Sequence, residues 1–375
     1  MKYADLEGLE KKDPFKKGII GLLRPTAEKL LKSRIRILPE SLGEPAALLD
    51  FLDDDFYLAF KTDGVGTKSL VADTMADQIR RGKIKSKIPI TRLYSGLGID
   101  LIASNVNDLI CLGATPFALS DEVAAGNYKR FLDKDFIEGL YQGLKKGCLE
   151  AGITIPCGES PTLVDVVAKE TVSITGSSLG IIRPKNRAIF GQNLQAGDSI
   201  FALASNGIHT NGSMLARKIV EKLPKGYFTP MPVGAGIVGE ELLMPTKIYV
   251  RPILEMLGKG VEIHYMSNIS GGGFRKIMRA KKEFTYMIED LPEVPKILQY
   301  LQRVARIPDQ EAYETWNMGL GFAIFAPPKE QLLISKICKK YKVECLKIGY
   351  VTKGPKKVVI RPKNIEYKGE TLSVR

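Results

Sequence analysis

Both halves of the chain place a short apolar strand, a glycine-containing loop and an amphipathic helix one after another, and this order limits the possible folds. In the first half, residues 56–60 predict a buried strand that runs into a loop at 61–68. In the second half, residues 198–204 predict a strand, 205–212 a loop and 213–223 a helix. We therefore predict the α/β (α+β) class, with a separate core in each half.

Two longer helices are predicted in the first half. Apolar residues recur every three or four positions over 99–112, and the polar residues between them include Asn107 and Asp108. Taken alone, an Asp on such a helix is usually a solvated surface residue. Residues 133–151 predict a second amphipathic helix, which Gly152 ends.

A basic, turn-rich stretch at 183–197 separates the two halves. The chain has 375 residues, a length that suits two domains. We place the boundary so that one domain spans residues 1–183 and the other 184–375.

The charge of the chain favours small anionic partners. Lys and Arg number 55 against 42 Asp and Glu, a formal net charge of +13. These basic residues are spread and do not alternate with aromatic residues, so we predict no nucleic-acid partner. No apolar run approaches the roughly 18 residues of a membrane span. The five cysteines are odd in number and lack C-x-x-C spacing, which favours buried, inert thiols in a reducing cytoplasm.

The first candidate for a binding site follows the strand at 56–60. Asp63 can hold a hard cation, while Gly64 and Gly66 let backbone amides approach a ligand. Thr67 offers a hydroxyl group and Lys68 a positive charge for phosphate. The spacing is not that of a Walker A loop. Taken alone, a glycine-containing hairpin turn explains the segment equally well.

Two more acids stand in comparable settings. Asp108 follows Asn107 near the end of the predicted helix, and Glu159 follows a glycine at 158. With Asp63 they would suit Mg²⁺, which prefers oxygen ligands and bridges carboxylates to phosphate oxygens. The sequence therefore predicts a magnesium site built from Asp63, Asp108 and Glu159.

The second half offers two further glycine-rich loops. His209, one of two histidines, lies in the loop 205–212 directly before a helix, where anions commonly bind. Three glycines at 271–273 precede another predicted helix. Such a run indicates either a ligand close to the backbone or a tight crossing of chain segments.

Taken in chain order, these segments resemble the successive motifs of the phosphoribosylformylglycinamidine cyclo-ligase (aminoimidazole ribonucleotide synthetase) family. The resemblance extends over about residues 59–325. The segments that carry it are TDGVGTK at 62–68, GIDLIA at 98–103, VND at 106–108, GATP at 113–116, GE at 158–159, GIHTNG at 207–212, LMPTKIY at 243–249, ISGGG at 269–273 and NMGLG at 317–321.

The resemblance implies a fold and an activity. Residues 1–183 would form a mixed-sheet domain that binds ATP and pairs in a homodimer, the strands of both chains forming a shared barrel. Residues 184–375 would form an α/β sandwich domain that binds the substrate. The family uses ATP to close the ring of formylglycinamidine ribonucleotide, which yields aminoimidazole ribonucleotide, ADP and phosphate in purine biosynthesis.

The resemblance also implies roles for single residues. The metal would be Mg²⁺, bound by the three acids named above, and the catalytic residues would be His209, Asp108 and Lys68. The residues implied for ATP are Asp63, Gly64, Gly66, Thr67, Lys68, Asn107, Asp108 and Glu159. The residues implied for the substrate are Ser205, His209, Asn211, Gly212, Gly271, Gly272 and Gly273, with the glycine run near its phosphate.

The chain departs from the family pattern at several places, among them Cys157, which stands where the family usually has glycine, and the loop 80–91. Residues 39–47 contain one glycine where the family is glycine-rich, and Asn268 stands where the family usually has histidine. Two alternatives therefore stay open: an enzyme similar to thiamine-monophosphate kinase, and a nucleotide-binding relative without catalytic activity.

Overall fold

The structure of the chain, a computed structural model, describes residues 13–232 and 236–372. The helices within these residues are α1 Asp13–Gly21, α2 Leu23–Leu30, α3 Ser69–Arg80, α4 Ile90–Ile110, α5 Lys134–Ala151, α6 Ser213–Val220, α7 Val238–Leu242, α8 Val250–Gly258, α9 Lys296–Ala305, α10 Asp309–Thr315 and α11 Gln331–Lys340. The strands are β1 Ile35–Ile37, β2 Ala47–Phe51, β3 Tyr57–Gly64, β4 Thr115–Ala125, β5 Gly158–Glu159, β6 Val172–Ile182, β7 Ser199–Ala204, β8 Tyr265–Asn268, β9 Thr285–Ile288, β10 Leu320–Ala326, β11 Cys345–Thr352, β12 Lys357–Ile360 and β13 Ile365–Lys368.

These strands form two sheets, one in each half of the chain. The first has the order β1-β2-β3-β6-β4-β5 and the second β13-β12-β9-β11-β7-β10-β8. Antiparallel pairs dominate both, with one parallel pair in each, β4 with β5 and β9 with β12. A mixed sheet with helices in each half confirms the predicted fold class, whereas a barrel shared between two chains stays a prediction.

Strand β3 is longer than the sequence indicated. It pairs with β6 from Tyr57 opposite Ile182 to Gly64 opposite Thr175. The prediction of a loop from residue 61 was therefore wrong for 61–64. The backbone groups of 61–64 form their hydrogen bonds with β6, which lies more than a hundred residues later in the chain. The local sequence could therefore not show that the strand continues.

Helix α4 runs through the middle of the first domain. It begins at Ile90, nine residues before the predicted start, and from residue 96 to its end every position is buried. Asp108 is therefore not a solvated surface residue, because that side of the helix packs against the second half of the chain. Cys111, directly after the helix, is buried as well, but Cys157 is exposed and Cys148 half-buried, so the expectation of five buried thiols was wrong. No helix among the described residues combines the length and the apolar character of a membrane span.

Helix α5 confirms its prediction at both ends. The Asp133 side chain accepts a hydrogen bond from the Phe136 backbone N–H at 3.3 Å, and Gly152 ends the helix with φ +73°. It crosses α4 at close range, since a Cβ atom added to Gly143 would overlap the carbonyl oxygen of Ser95. The glycine thus sets the distance between the two helices.

A segment at 38–44 belongs to the first half of the sequence but contacts the second sheet. The Tyr265 hydroxyl group donates to the Glu44 carboxylate at 2.9 Å. The Arg279 guanidinium donates to the Gly43 carbonyl at 3.2 Å. These contacts join the two halves in addition to the linker.

Candidate functional site

A buried carboxylate at the domain junction marks the first part of the site. The Lys61 ammonium lies 2.9 Å from Asp108 Oδ2 and 3.3 Å from Asp63 Oδ2. Asn268, from the second sheet, donates to Asp108 Oδ1 at 2.8 Å. Lys61 was not predicted, although it alternates with Asp63 on the same strand and therefore shares its face of the sheet.

The charges around this carboxylate decide its ionisation. Burial raises the pKa of Asp108, but the positive charges of Lys61, Lys276 and Arg279 outweigh it, so the net pKa lies below the ordinary value. Burial lowers the pKa of Lys61, and Asp108 with Asp63 reverses this to a net rise. Both groups are therefore charged at neutral pH. Neither Lys276 nor Arg279 was predicted as a site residue.

Glu159 does not join the other two acids within one chain. It pairs with Glu122, which pairs with Thr175, which pairs with Gly64. Three strand spacings amount to about 14 Å. Glu159 shares its face of the sheet with Gly64, the face opposite to Asp63. No group of three acidic, histidine or cysteine side chains suitable for a metal occurs in the described part of the chain. The predicted convergence of the three acids is therefore wrong for a single chain.

The segment after β3 reaches the second domain through Thr67. The Thr67 hydroxyl lies 3.1 Å from the Ser213 hydroxyl at the start of α6. Gly66 has φ +63°, and no atom lies within 4 Å of the place where its Cβ would stand. Gly64 is enclosed, because a Cβ would lie 2.9 Å from the Ile174 carbonyl oxygen. The open backbone at Gly66 next to Thr67 suits the approach of a ligand.

Lys68 takes a different place from the one predicted. Its ammonium is fully buried, 2.7 Å from Asp100 Oδ2, and it donates to the Met244 carbonyl oxygen at 2.7 Å. The other oxygen of Asp100 accepts from the Thr246 backbone N–H at 2.8 Å and its hydroxyl at 2.6 Å. Burial lowers the pKa of Lys68, with Asp100 opposing it. In this structure Lys68 fastens the segment 243–249 and does not face the open backbone at Gly66.

Asn107 holds the same segment. Its amide nitrogen donates to the Lys247 carbonyl oxygen at 2.8 Å, and its amide oxygen accepts from the Tyr249 backbone N–H at 2.9 Å. Both ends of the side chain are thereby used on protein backbone. A contact with ATP, as predicted, stays untested by these distances.

His209 is almost completely buried within the loop 205–212. It is 4% exposed, has φ +62°, and its Nε2 has no hydrogen-bond partner among the described residues. Burial lowers the pKa of His209 to about 3, and the nearby charges of Lys68 and Lys247 act in the same direction. The imidazole is therefore neutral at physiological pH, and it has one buried nitrogen available for a bond.

The loop 205–212 is held by the segment around Asn317. The Ser205 hydroxyl lies 2.8 Å from the Asn317 amide oxygen, and the Asn317 amide nitrogen donates to the Gly207 carbonyl at 2.9 Å. Gly212 has φ +77° and stands against the indole of Trp316. The motifs at 207–212 and 317–321 therefore pack directly against each other.

The glycine run 271–273 meets this loop. A Cβ added to Gly271 would lie 2.8 Å from the Asn211 amide oxygen. Gly272 and Gly273 have φ +102° and +52°, and a Cβ on Gly273 would overlap the carbonyl oxygen of Tyr313. This favours the tight crossing of chain segments for Gly273. The helix predicted after it is a short 3-10 helix, Gly273–Met278.

The two sheets and the polar junction between them define a two-domain α/β protein with a candidate nucleotide site where the domains meet. The structure "AaThiL complexed with AMPPCP and TMP" has this fold: it is 18% identical, with a TM-score of 0.58 over 96% of this chain and 96% of that chain.

Comparison of sequences then gives the family. Residues 43–182 match AIR synthase related protein, N-terminal domain, and residues 195–361 match its C-terminal domain. The phosphoribosylformylglycinamidine cyclo-ligase of Methanocaldococcus jannaschii is 37% identical over 332 residues, 88% of each chain. That of Thermococcus gammatolerans is 37% identical over 339 residues, 90% of this chain and 91% of its own. The chain belongs to the phosphoribosylformylglycinamidine cyclo-ligase family, which confirms the resemblance.

Proposed function

We propose that the chain is an ATP-dependent cyclo-ligase of purine biosynthesis that converts formylglycinamidine ribonucleotide to aminoimidazole ribonucleotide in the cytoplasm. Transfer of the γ-phosphoryl group to the formyl oxygen creates a good leaving group. The amidine nitrogen of the same molecule then attacks that carbon, the five-membered ring closes, and phosphate leaves with ADP already formed. Both steps depend chiefly on positioning and on neutralising charge.

One observation carries the proposal: the loops of the two domains that bear the family motifs touch each other. Thr67 contacts Ser213, and Asp108 accepts a hydrogen bond from Asn268. ATP bound along the first loop would therefore lie beside a substrate bound along the second. Transfer between two phosphorylated molecules requires this adjacency.

The open backbone at Gly66 and the charge of Lys61 indicate which residues bind the phosphates of ATP. The backbone at Gly66 is open, and the Thr67 hydroxyl lies beside it. Lys61 supplies a positive charge nearby, since Asp108 and Asp63 keep it protonated. We assign phosphate binding to Gly66, Thr67 and Lys61, and we assign Lys68 to holding the segment that lies behind them.

Two carboxylates suit Mg²⁺. Asp63 and Asp108 both present oxygen atoms to Lys61, and the pKa of Asp108 lies below its ordinary value, so this carboxylate is ionised as a magnesium ligand must be. Bound there, Mg²⁺ would neutralise phosphate charge. The carboxylates would hold it, and Lys61 would move toward the phosphates.

His209 would face the reacting part of the substrate as a neutral group. Its Nε2 has no partner in the described residues and can form a hydrogen bond, and its lowered pKa of about 3 argues against proton transfer at neutral pH. We therefore propose a hydrogen-bonding role for His209. Asn211 and the glycine run 271–273 lie on the same side of the junction and would bind the ribonucleotide.

A homodimer would give Glu159 a role. Phe60 is 44% exposed on the outer face of the first sheet, directly opposite Leu179 on β6. Strand pairing gives Glu159 the same outer face. We propose that two chains pair through this face, so that Glu159 acts only across the interface.

The direct test incubates the full chain with ATP, Mg²⁺ and formylglycinamidine ribonucleotide and measures aminoimidazole ribonucleotide. We expect one ADP for each ring closed, and no ADP without the ribonucleotide. Thiamine monophosphate in place of the ribonucleotide tests the kinase alternative. Phosphorylation of that compound, or binding of ATP with no turnover of either compound, would contradict the proposal.

A further inference from the structure

A cavity of about 640 Å³ lies in the second domain, where helices α9 and α10 meet. Arg303 and Arg306, at the end of α9, and Lys363, between β12 and β13, contribute to its lining. Tyr313 on α10 and Met318, three residues beyond the end of that helix, also line it. Small-molecule sites in proteins have volumes of about 300–1,000 Å³, so this cavity is large enough for a ligand.

Two positive charges at the cavity have no opposite charge beside them. Neither the Arg303 nor the Arg306 guanidinium forms an ion pair or a hydrogen bond with a residue that the structure describes. Lys363 differs, because its ammonium lies 3.0 Å from Asp309 Oδ2. Arg306 has φ +51° at the end of α9, where glycine is the usual residue, so helix termination does not account for an arginine there. The two guanidinium groups are therefore available for an anion, and their N–H groups match the oxygens of a phosphate.

A buried hydroxyl group provides a third donor. Tyr313 is 1% exposed, and its hydroxyl has no hydrogen-bond partner in the described part of the chain. Burial, together with the nearby charge of Asp309, raises the pKa of Tyr313 to about 12, so the hydroxyl keeps its proton at neutral pH. Because buried tyrosine hydroxyls usually have a partner, this one suits an oxygen atom of a ligand.

Two glutamines supply acceptors in the lining of the same cavity. The Gln302 amide nitrogen donates to Asp309 Oδ1 at 2.5 Å, and the Gln299 amide nitrogen donates to the Val294 carbonyl oxygen at 2.6 Å. Both amide oxygens lack a partner among the described residues, so they can accept from hydroxyl groups. Val294 and Met318 add apolar surface, against which the C–H groups of a sugar can pack.

We propose that this cavity binds a small sugar phosphate, at a site separate from those proposed for ATP and the ribonucleotide. The phosphate lies against Arg303 and Arg306 and accepts from the Tyr313 hydroxyl, while sugar hydroxyls donate to the two glutamines. None of the residues that we assign to ATP or to the ribonucleotide lines the cavity. The glycine run lies elsewhere, since Gly273 stands against the Tyr313 carbonyl oxygen.

The test locates ribose 5-phosphate on the full-length chain by protection of arginine. Phenylglyoxal modifies accessible guanidinium groups, and the reaction is run with and without ribose 5-phosphate. Cleavage after Glu then releases residues 294–311, whose only arginines are Arg303 and Arg306. We expect ribose 5-phosphate to protect both of them from modification. Arg92, an exposed arginine of the first domain, is the internal control and should be modified equally in both samples.

Calorimetric titration with ribose 5-phosphate then compares variants. The double variant Arg303→Gln with Arg306→Gln should bind about 100-fold more weakly, because two charge-assisted contacts are lost. Arg92→Gln should keep the wild-type affinity. Inorganic phosphate should bind the wild type more weakly than ribose 5-phosphate does, since it has no hydroxyl groups for the glutamines.

Three results would each overturn the proposal. The first is modification of Arg303 and Arg306 that ribose 5-phosphate leaves unchanged. The second is an unchanged affinity of the double variant, which would place the bound sugar phosphate at the domain junction instead. The third is equal affinity for inorganic phosphate, which would show that the sugar is not recognised. The protection experiment uses the wild-type chain, so it does not depend on a variant folding.

Discussion

Asp108 shows how single residues at the domain junction keep their charge in the core. The side chain is 4% exposed, yet Lys61 lies 2.9 Å away and Asn268 donates to its other oxygen. The sequence predicted Asp108 from its motif. It could not predict Lys61 or Asn268 as partners, because both contacts depend on how separate segments pack.

Asp108→Asn should lower the rate of ring closure by about 100-fold or more, because the amide can neither hold a cation nor balance Lys61. The measurement is kcat for aminoimidazole ribonucleotide, with circular dichroism to show that the fold is retained. Asp54→Asn, at an exposed position, is the control and should leave kcat unchanged. An unchanged kcat for Asp108→Asn would remove this residue from the site.

Lys68→Met should destabilise the chain by about 3 kcal/mol, because it leaves the buried carboxylate of Asp100 without its cation. The double variant with Asp100→Asn should recover part of this loss. Urea unfolding of the wild type, both single variants and the double variant gives the coupling energy. Normal stability combined with a raised KM for ATP would instead favour the phosphate contact predicted from sequence.

His209 should make stability depend on pH. Its pKa is about 3 in the folded chain and near 6.5 when unfolded, so the unfolded state binds more protons between these values. The neutral, buried imidazole therefore keeps its full contribution to the free energy of unfolding above pH 6.5. As the pH falls toward 3, that free energy decreases by up to about 1.4 kcal/mol per pH unit. The free energy of unfolding, measured with urea between pH 4.5 and 7, should change less with pH for His209→Gln than for the wild type. Parallel curves would mean that folding does not change the pKa of the histidine.

Among the elements, α5 could be predicted closely and β3 could not. The cap at Asp133 and the glycine at 152 are local signals, and both act within one turn of the helix. The end of β3 depends on β6, whose residues come a hundred positions later. The same distant pairing sets the face on which Glu159 stands, which is why the metal prediction failed for one chain.

Gly143→Ala should destabilise the protein by about 3 kcal/mol or more, because the added methyl group meets the Ser95 carbonyl and forces α4 and α5 apart. The measurement is the urea midpoint. Gly258→Ala is the matched control, since no atom lies within 4 Å of the added methyl group. Equal effects of the two substitutions would show that the helix crossing tolerates a wider spacing.

For the whole molecule, two sheets in two halves followed from the sequence, because each half contains enough apolar strand for a core. The way the halves meet did not follow. The contacts at Thr67 with Ser213 and at Asp100 with Thr246 use side chains that no periodic pattern singles out. The site could be predicted as a set of motifs, and its internal geometry required the packed chain.

Phe60→Glu should prevent pairing of two chains, because it places a charge in the middle of the outer face of the first sheet. Analytical ultracentrifugation should show a dimer for the wild type and a monomer for the variant. Turnover should fall with it if Glu159 acts across the interface. Leu332→Glu, at an 84% exposed position in the second domain, is the control. A variant that stays dimeric would move the interface elsewhere.

The stretch at 38–44 crosses from the first sheet to the second through Glu44 with Tyr265 and Gly43 with Arg279. If a protease cut the linker at 183–197, the two fragments would therefore stay bound to each other. If each fragment were made alone, the first would lack the hydrogen-bond donor to Glu44. The second would lack the acceptors for Tyr265 and Arg279. In this sense the boundary in the sequence is not a boundary in the folded molecule.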